Sequence, residues 1–143
     1  MIQESLSSPS GCLYPHRNTS TGEVDLEAML GTLIIYWGAV KGVFPADWGL
    51  PPHKSRLMHS AGLRAMGKLM DRVMSPINVK TPAAIQLVQR ELTLIVPACH
   101  WTSGRWSGLN DMNWDEIQNV PRHVRDLSSL LVRAYVQAKG TIA

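Results

Sequence analysis

The nine residues from Phe44 to Pro52, FPADWGLPP, hold three prolines and a glycine. Proline fixes φ and removes a backbone donor, so neither a helix nor a central strand can run through this stretch. The chain must turn here. Before the corner, Leu26, Leu30, Leu33, Trp37, Val40 and Phe44 recur at alternating steps of four and three, with Met29 and Ile34 widening the stripe. That spacing predicts a helix with one buried face, ended by Pro45. Ile35 and Tyr36 fall outside the stripe, which predicts contact on a second side and a central place for this helix. After the corner, Met58, Ala61, Ala65, Met66, Leu69 and Val73 share one side of a second helix that runs to about Met74, with Ser55 as its expected N-cap. Phe44 and Trp48 are the expected anchors of the turn itself. Gly62 and Gly67 each cost ~1 kcal/mol relative to alanine inside a helix, which predicts close packing at those positions.

A third helix is signalled by Thr81 and Pro82 as N-cap and first-turn residue, with Ile85, Val88, Leu92 and Ile95 inward and Pro97 at its end. From Ala98 to Asn113 the sequence has no period and reads as a structured loop. Asn113 and Glu116 are spaced as a capping box for a short helix carrying Trp114 and Ile117. The last helix starts near Pro121, shows Val124, Leu127, Leu131, Ala134 and Ala138 on one face, and is expected to close at Gly140. Residues 1–22, rich in Ser, Thr, Pro and Gly, read as a loose N-terminal arm in which only Leu13, Tyr14 and Pro15 are expected to dock. No stretch alternates long enough for a strand. The expected fold is therefore all-α: a compact bundle of about four main helices plus one short helix, over residues 23–143 as a single domain.

Composition narrows the function classes. With 143 residues and 45% apolar content the chain can build one core. The apolar run from Ala28 to Val40 is shorter than a bilayer span and is closed by Glu27 and Lys41, so no membrane segment is expected. Cys12 and Cys99 form no paired motif, which excludes a disulfide framework or zinc ribbon and predicts a reducing, cytoplasmic setting. The N-terminus lacks a basic segment followed by an apolar run, so no secretory leader is expected. Cys99-His100 is a lone pair, and His16, His53, His59 and His123 are scattered; a closed metal site needs about four converging ligands, so no metal is predicted. There is no G-x-S-x-G, P-loop or G-x-G-x-x-G, and Asp111, Asp115 and Glu116 cluster only at a helix start. No catalytic residues, no cofactor and no enzyme activity are expected.

The formal net charge of +3 and pI near 9.1 permit an anionic partner or serve solubility alone. In the second helix Arg56, Arg64, Lys68 and Arg72 lie away from the apolar stripe, with Asp71 opposing them and His53 and Lys54 at the entrance. Four-residue steps drift ~40° around a helix, so the row slants across the surface and either follows phosphates or is a solvated face. In WTSGRWSG, Arg105 stands between Trp101 and Trp106. Either the tryptophans stack bases around Arg105, or both fill the core, a need made acute by a single phenylalanine against five tryptophans.

Two segments, YWGAVKGVFPADWG with HSAGLRAMGKLMDRV, and WDEIQNVPRHVRDLSSLLVRAY, together resemble the C-terminal helical part of DGQHR-domain proteins. That group includes the DndB-like proteins of DNA phosphorothioation clusters and relatives on bacterial mobile elements. The resemblance spans roughly Tyr14 to Tyr135, with Phe44, Trp48 and Gly62 matching as scaffold positions. The D-G-Q-H-R string and the region that carries it are absent from the sequence, which makes the chain similar to a carboxy-terminal piece or a reduced relative. What the resemblance implies is a bacterial, cytoplasmic protein associated with DNA modification, defence or mobile elements, regulating transcription by binding DNA. The expected function is a non-catalytic, DNA-associated domain using Arg56, Arg64, Lys68, Arg72 and Arg105. The alternative is an interaction domain that docks on a DGQHR-like partner or on itself through surplus apolar positions such as Ile35 and Tyr36.

Overall fold

A computed structural model describes residues 26–142; the arm at residues 1–22 lies outside that range. The described residues form four α-helices: α1 (Leu26–Val43), α2 (Ser60–Met74), α3 (Ala84–Thr93) and α4 (Pro121–Ile142). A two-stranded antiparallel hairpin, β1 (Arg105–Trp106) and β2 (Met112–Asn113), pairs Arg105 with Asn113 and Trp106 with Met112. Short 3-10 turns occupy Val96–Ala98 and Trp114–Glu116. The all-α expectation holds, with the expected short helix reduced to the second of these turns. There Asn113 N donates to Glu116 Oε1 at 3.2 Å, the reciprocal half of a capping box.

The inward face of α1 keeps Met29 and Val40 of the expected stripe, with Phe44 just beyond the helix, and the second-side contact expected at Tyr36, but turns Leu26, Leu30 and Ile34 outward. Met29, Thr32, Tyr36, Ala39 and Val40 are buried, whereas Leu26, Leu30 and Ile34 are 64%, 57% and 66% exposed. A helix that is apolar nearly all round offers more than one face, and tertiary partners choose among them. Here the choice is set by Tyr36, fully buried, whose hydroxyl donates to the Met66 carbonyl at 2.6 Å. Gly42 lets α3 lie close, since a Cβ there would clash with the Gln89 side chain, whereas one at Gly38 would meet only Ile85 at an ordinary contact distance.

The corner is a stitched turn. Asp47 N and Trp48 N both donate to the Phe44 carbonyl, Gly49 takes φ +84°, and Phe44 meets Trp101 edge-on at 6.2 Å. Trp48 rests on Trp37 at 6.2 Å, and Thr102 Oγ1 donates to Asp47 Oδ1 at 3.0 Å. Both anchors expected from sequence do anchor. Trp101 and Trp106 are buried and meet at 5.0 Å, so the loop tryptophans fill the core rather than offering stacking faces.

Helix α2 starts five residues later than Ser55, which is buried in the preceding turn. Its N-cap is His59, whose Nδ1 accepts from Ala61 N at 3.2 Å. Accepting there requires an unprotonated Nδ1, and burial together with the Arg56 guanidinium holds the imidazole pKa below the usual histidine value. The unfolded chain therefore takes up this proton first. The cap contributes fully above the unfolded value of ~6.5 and is lost as pH falls through the depressed folded one. Melting temperatures of His59→Asn, which keeps a capping oxygen without the titration, are expected to fall less between about pH 7 and pH 5 than those of the parent chain.

Helix α3 begins at Ala84, after a turn holding Thr81 and Pro82, with Val88 and Leu92 buried and Ile85 37% exposed. Helix α4 runs through Gly140 to Ile142 instead of closing there, and Val124, Leu127, Leu131 and Tyr135 form its buried side. Glu91 of α3 ties the two helices, accepting from the Tyr135 hydroxyl at 3.2 Å and from Lys139 Nζ.

Candidate nucleic-acid interface

Of the five basic residues marked in the sequence, Arg56 does not belong on the surface. Only 8% of it is exposed. Its Nη1 donates to the Pro52 carbonyl at 2.8 Å, its Nη2 to the Asp115 carbonyl at 2.6 Å, and the guanidinium lies over Trp114 at 5.9 Å. Its own N–H donates to the Trp101 carbonyl at 2.8 Å. Counting four-residue steps back from Arg64 placed Arg56 on a helix that has not yet begun; in the fold it joins three loops.

Arg64, Lys68 and Arg72 do share one side of α2, with Lys68 and Arg72 exposed and Arg64 half-buried. Arg64 Nη1 donates to Asn119 Oδ1 at 3.3 Å. Asn119 lies just before α4, whose first turns carry Arg122 and Arg125 with side chains 74% and 69% exposed. Asp126 answers both, at 3.9 and 3.7 Å, so the two guanidiniums share one carboxylate. A charge row is legible along one helix, whereas the tie between α2 and the segment before α4 depends on a contact 55 residues apart.

Arg105 is exposed on β1, donating to the Asp111 carbonyl at 3.1 Å and pairing with the Asp111 carboxylate at 3.8 Å. These contacts hold the hairpin tip, where Asn110 and Asp111 both take φ +57°. Between this tip and α4 lies a cleft of about 240 Å³ with Leu109, Met112 and Ile117 as apolar lining and Asn110, Arg122, His123, Asp126, Ser129 and Arg133 as polar lining. His123 Nδ1 accepts from Gln118 N at 2.9 Å, which leaves the ring's proton on Nε2 in the neutral form. The cleft thus combines apolar walls with charges of both signs, Arg122 being answered there by Asp126 at 3.9 Å.

Cys99 is not a reactive thiol: burial, reinforced by the Asp47 carboxylate, pushes its pKa strongly upward and keeps it protonated. His100 packs edge-on against Trp106 at 5.6 Å. Among the described residues no three His, Cys, Asp or Glu side chains are grouped to hold a metal ion. Comparison of the chain with protein-family models, with curated proteins and with solved structures found no match in any of the three.

Proposed function

We propose that this chain is a non-catalytic, DNA-associated helical domain of the kind the DGQHR resemblance implies, acting in regulation within a bacterial DNA-modification, defence or mobile-element system. The observation that supports the reading is the bond from Arg64 to Asn119, which ties the α2 row of Arg64, Lys68 and Arg72 to the segment leading into α4, whose first turns carry the exposed Arg122 and Arg125. A single slanted row is an ordinary solvated face; exposed basic residues on two helices tied at one end give more cationic surface than either helix alone. The exposed Arg105 adds to the same charge without joining either row, and Arg56 takes no part.

Labelled duplex and single-stranded DNA, titrated with the full chain across a salt series, tests this reading. Each phosphate contact contributes about −0.9 to the log–log salt slope on duplex DNA, so five contacts predict a slope near −4.5. Arg64→Ala/Lys68→Ala/Arg72→Ala should remove roughly 2.7 of that slope and most of the affinity at low salt, and Lys68→Ala/Arg72→Ala, which leaves the Arg64–Asn119 bond in place, roughly 1.8 of it. Absence of binding at low salt, or a slope indifferent to the triple substitution, refutes it.

A further inference from the structure

The outer face of α1 is the largest apolar feature left uncovered among the described residues. Leu26, Leu30 and Ile34 are each more than half exposed, and they occupy one side of the helix opposite the buried Met29, Thr32, Tyr36, Ala39 and Val40. Isolated exposed leucines are ordinary, but three in register on one helix face form a surface that water solvates poorly.

This face carries an order that points to its occupant. Residues seven apart lie within ~20° of one line along a helix. One line holds Glu27, Ile34 and Lys41, a second Gly31 and Gly38, and a third Leu30 and Trp37. Each line is complementary to itself when reversed. Placing a second α1 antiparallel, on a two-fold axis at Ile34, sets Glu27 opposite the partner's Lys41 and Ile34 against its own copy. The same operation brings Gly31 within one residue's rise, about 1.5 Å, of the level of the partner's Gly38, and Leu30 equally near the level of the partner's Trp37. The glycines matter because the fold does not otherwise explain them. A Cβ at Gly31 would meet nothing within 4 Å, and one at Gly38 only the Ile85 Cδ1 at 3.9 Å. Each therefore costs its helix about 1 kcal/mol relative to alanine with no return among the described residues. Close approach of a second backbone would supply that return.

We propose that the outer face of α1 is a self-association surface, through which two copies of this chain pair antiparallel about Ile34. A lipid surface would accept the leucines, but it asks neither for glycines at a seven-residue interval nor for opposite charges equidistant from the centre. An 18-residue helix is about 27 Å long, and one helix face covers less than the ~800 Å² per side of a standard stable interface. The dimer is accordingly reversible, forming in the micromolar range, and it is independent of DNA binding.

Sedimentation equilibrium of the full chain at low salt is the test. The expected result is a concentration-dependent dimer that Ile34→Glu abolishes with its melting temperature retained, since Ile34 is exposed in the single chain. Glu27→Lys or Lys41→Glu alone should weaken association roughly tenfold, and the double variant should recover most of the loss, because antiparallel pairing matches each altered site with the other. A monomer at all concentrations overturns the proposal, including one that floats with lipid vesicles or one that Ile34→Glu destabilises because other residues of the same chain cover the face. A dimer indifferent to Ile34→Glu, or a double variant no better than the singles, overturns it as well.

Discussion

Gly62→Ala is expected to destabilise the chain by more than ~3 kcal/mol, toward the upper end of what overpacking costs. A Cβ at this position would sit 1.8 Å from the Arg56 carbonyl oxygen, 2.8 Å from its carbonyl carbon and 3.1 Å from the Leu57 Cα. All three are backbone atoms of the turn that leads into α2, so no side-chain rotation relieves the clash. Relief requires the turn to move, and the turn is held by the Arg56 N–H on the Trp101 carbonyl and by fully buried Leu57. Denaturant unfolding should show a large fall in midpoint for Gly62→Ala, against a small rise for Gly31→Ala, where a Cβ meets nothing among the described residues and the helix gains propensity. Equal midpoints would mean that the turn is not packed on α2 in this way.

Loss of the Arg56 guanidinium carries the second large effect. Arg56→Ala removes two donors from the Pro52 and Asp115 carbonyls, at 2.8 and 2.6 Å, and empties the space over Trp114. Hydrogen bonds from a charged group contribute about 1.5–3 kcal/mol each, so a loss of roughly 3 kcal/mol is expected. Arg56→Lys should recover less than half of it, because an ammonium cannot span two carbonyls as a planar fork does. Thermal unfolding of both variants, set beside their DNA affinity at a temperature where each remains folded, separates this role from a phosphate contact. Full stability with lost DNA affinity would return Arg56 to the surface row.

What was legible in the sequence follows from how local each signal is. The scarcity of phenylalanine supported only one of two open readings for Trp101 and Trp106, and burial in the core decides it, whereas three prolines and a glycine forced the corner without any knowledge of what packs where. The face of α1 was misjudged for the opposite reason. Leu26, Leu30 and Ile34 satisfy helical spacing as well as Met29, Tyr36 and Val40 do, and only the Tyr36 bond to Met66, 30 residues away, decides between them. Likewise Ser55 is the better capping residue by type, yet the turn around Arg56 displaced the helix start and left His59 to cap it. The candidate interface divides in the same manner: Arg64, Lys68 and Arg72 were readable along one helix, while the bond that ties Arg64 to Asn119 before α4 is seen only in the fold.

The edge-to-face chain from Phe44 through Trp101 and Trp106 to His100 has an optical consequence. Its ring pairs are 6.2, 5.0 and 5.6 Å apart, at 89°, 75° and 85°. Two indoles this close and this far from coplanar, in an asymmetric buried setting, couple their transitions and give near-ultraviolet dichroism that disappears when side-chain packing loosens while helices persist. The protein therefore carries its own spectroscopic marker for the state of the corner, separate from the far-ultraviolet signal of its helices.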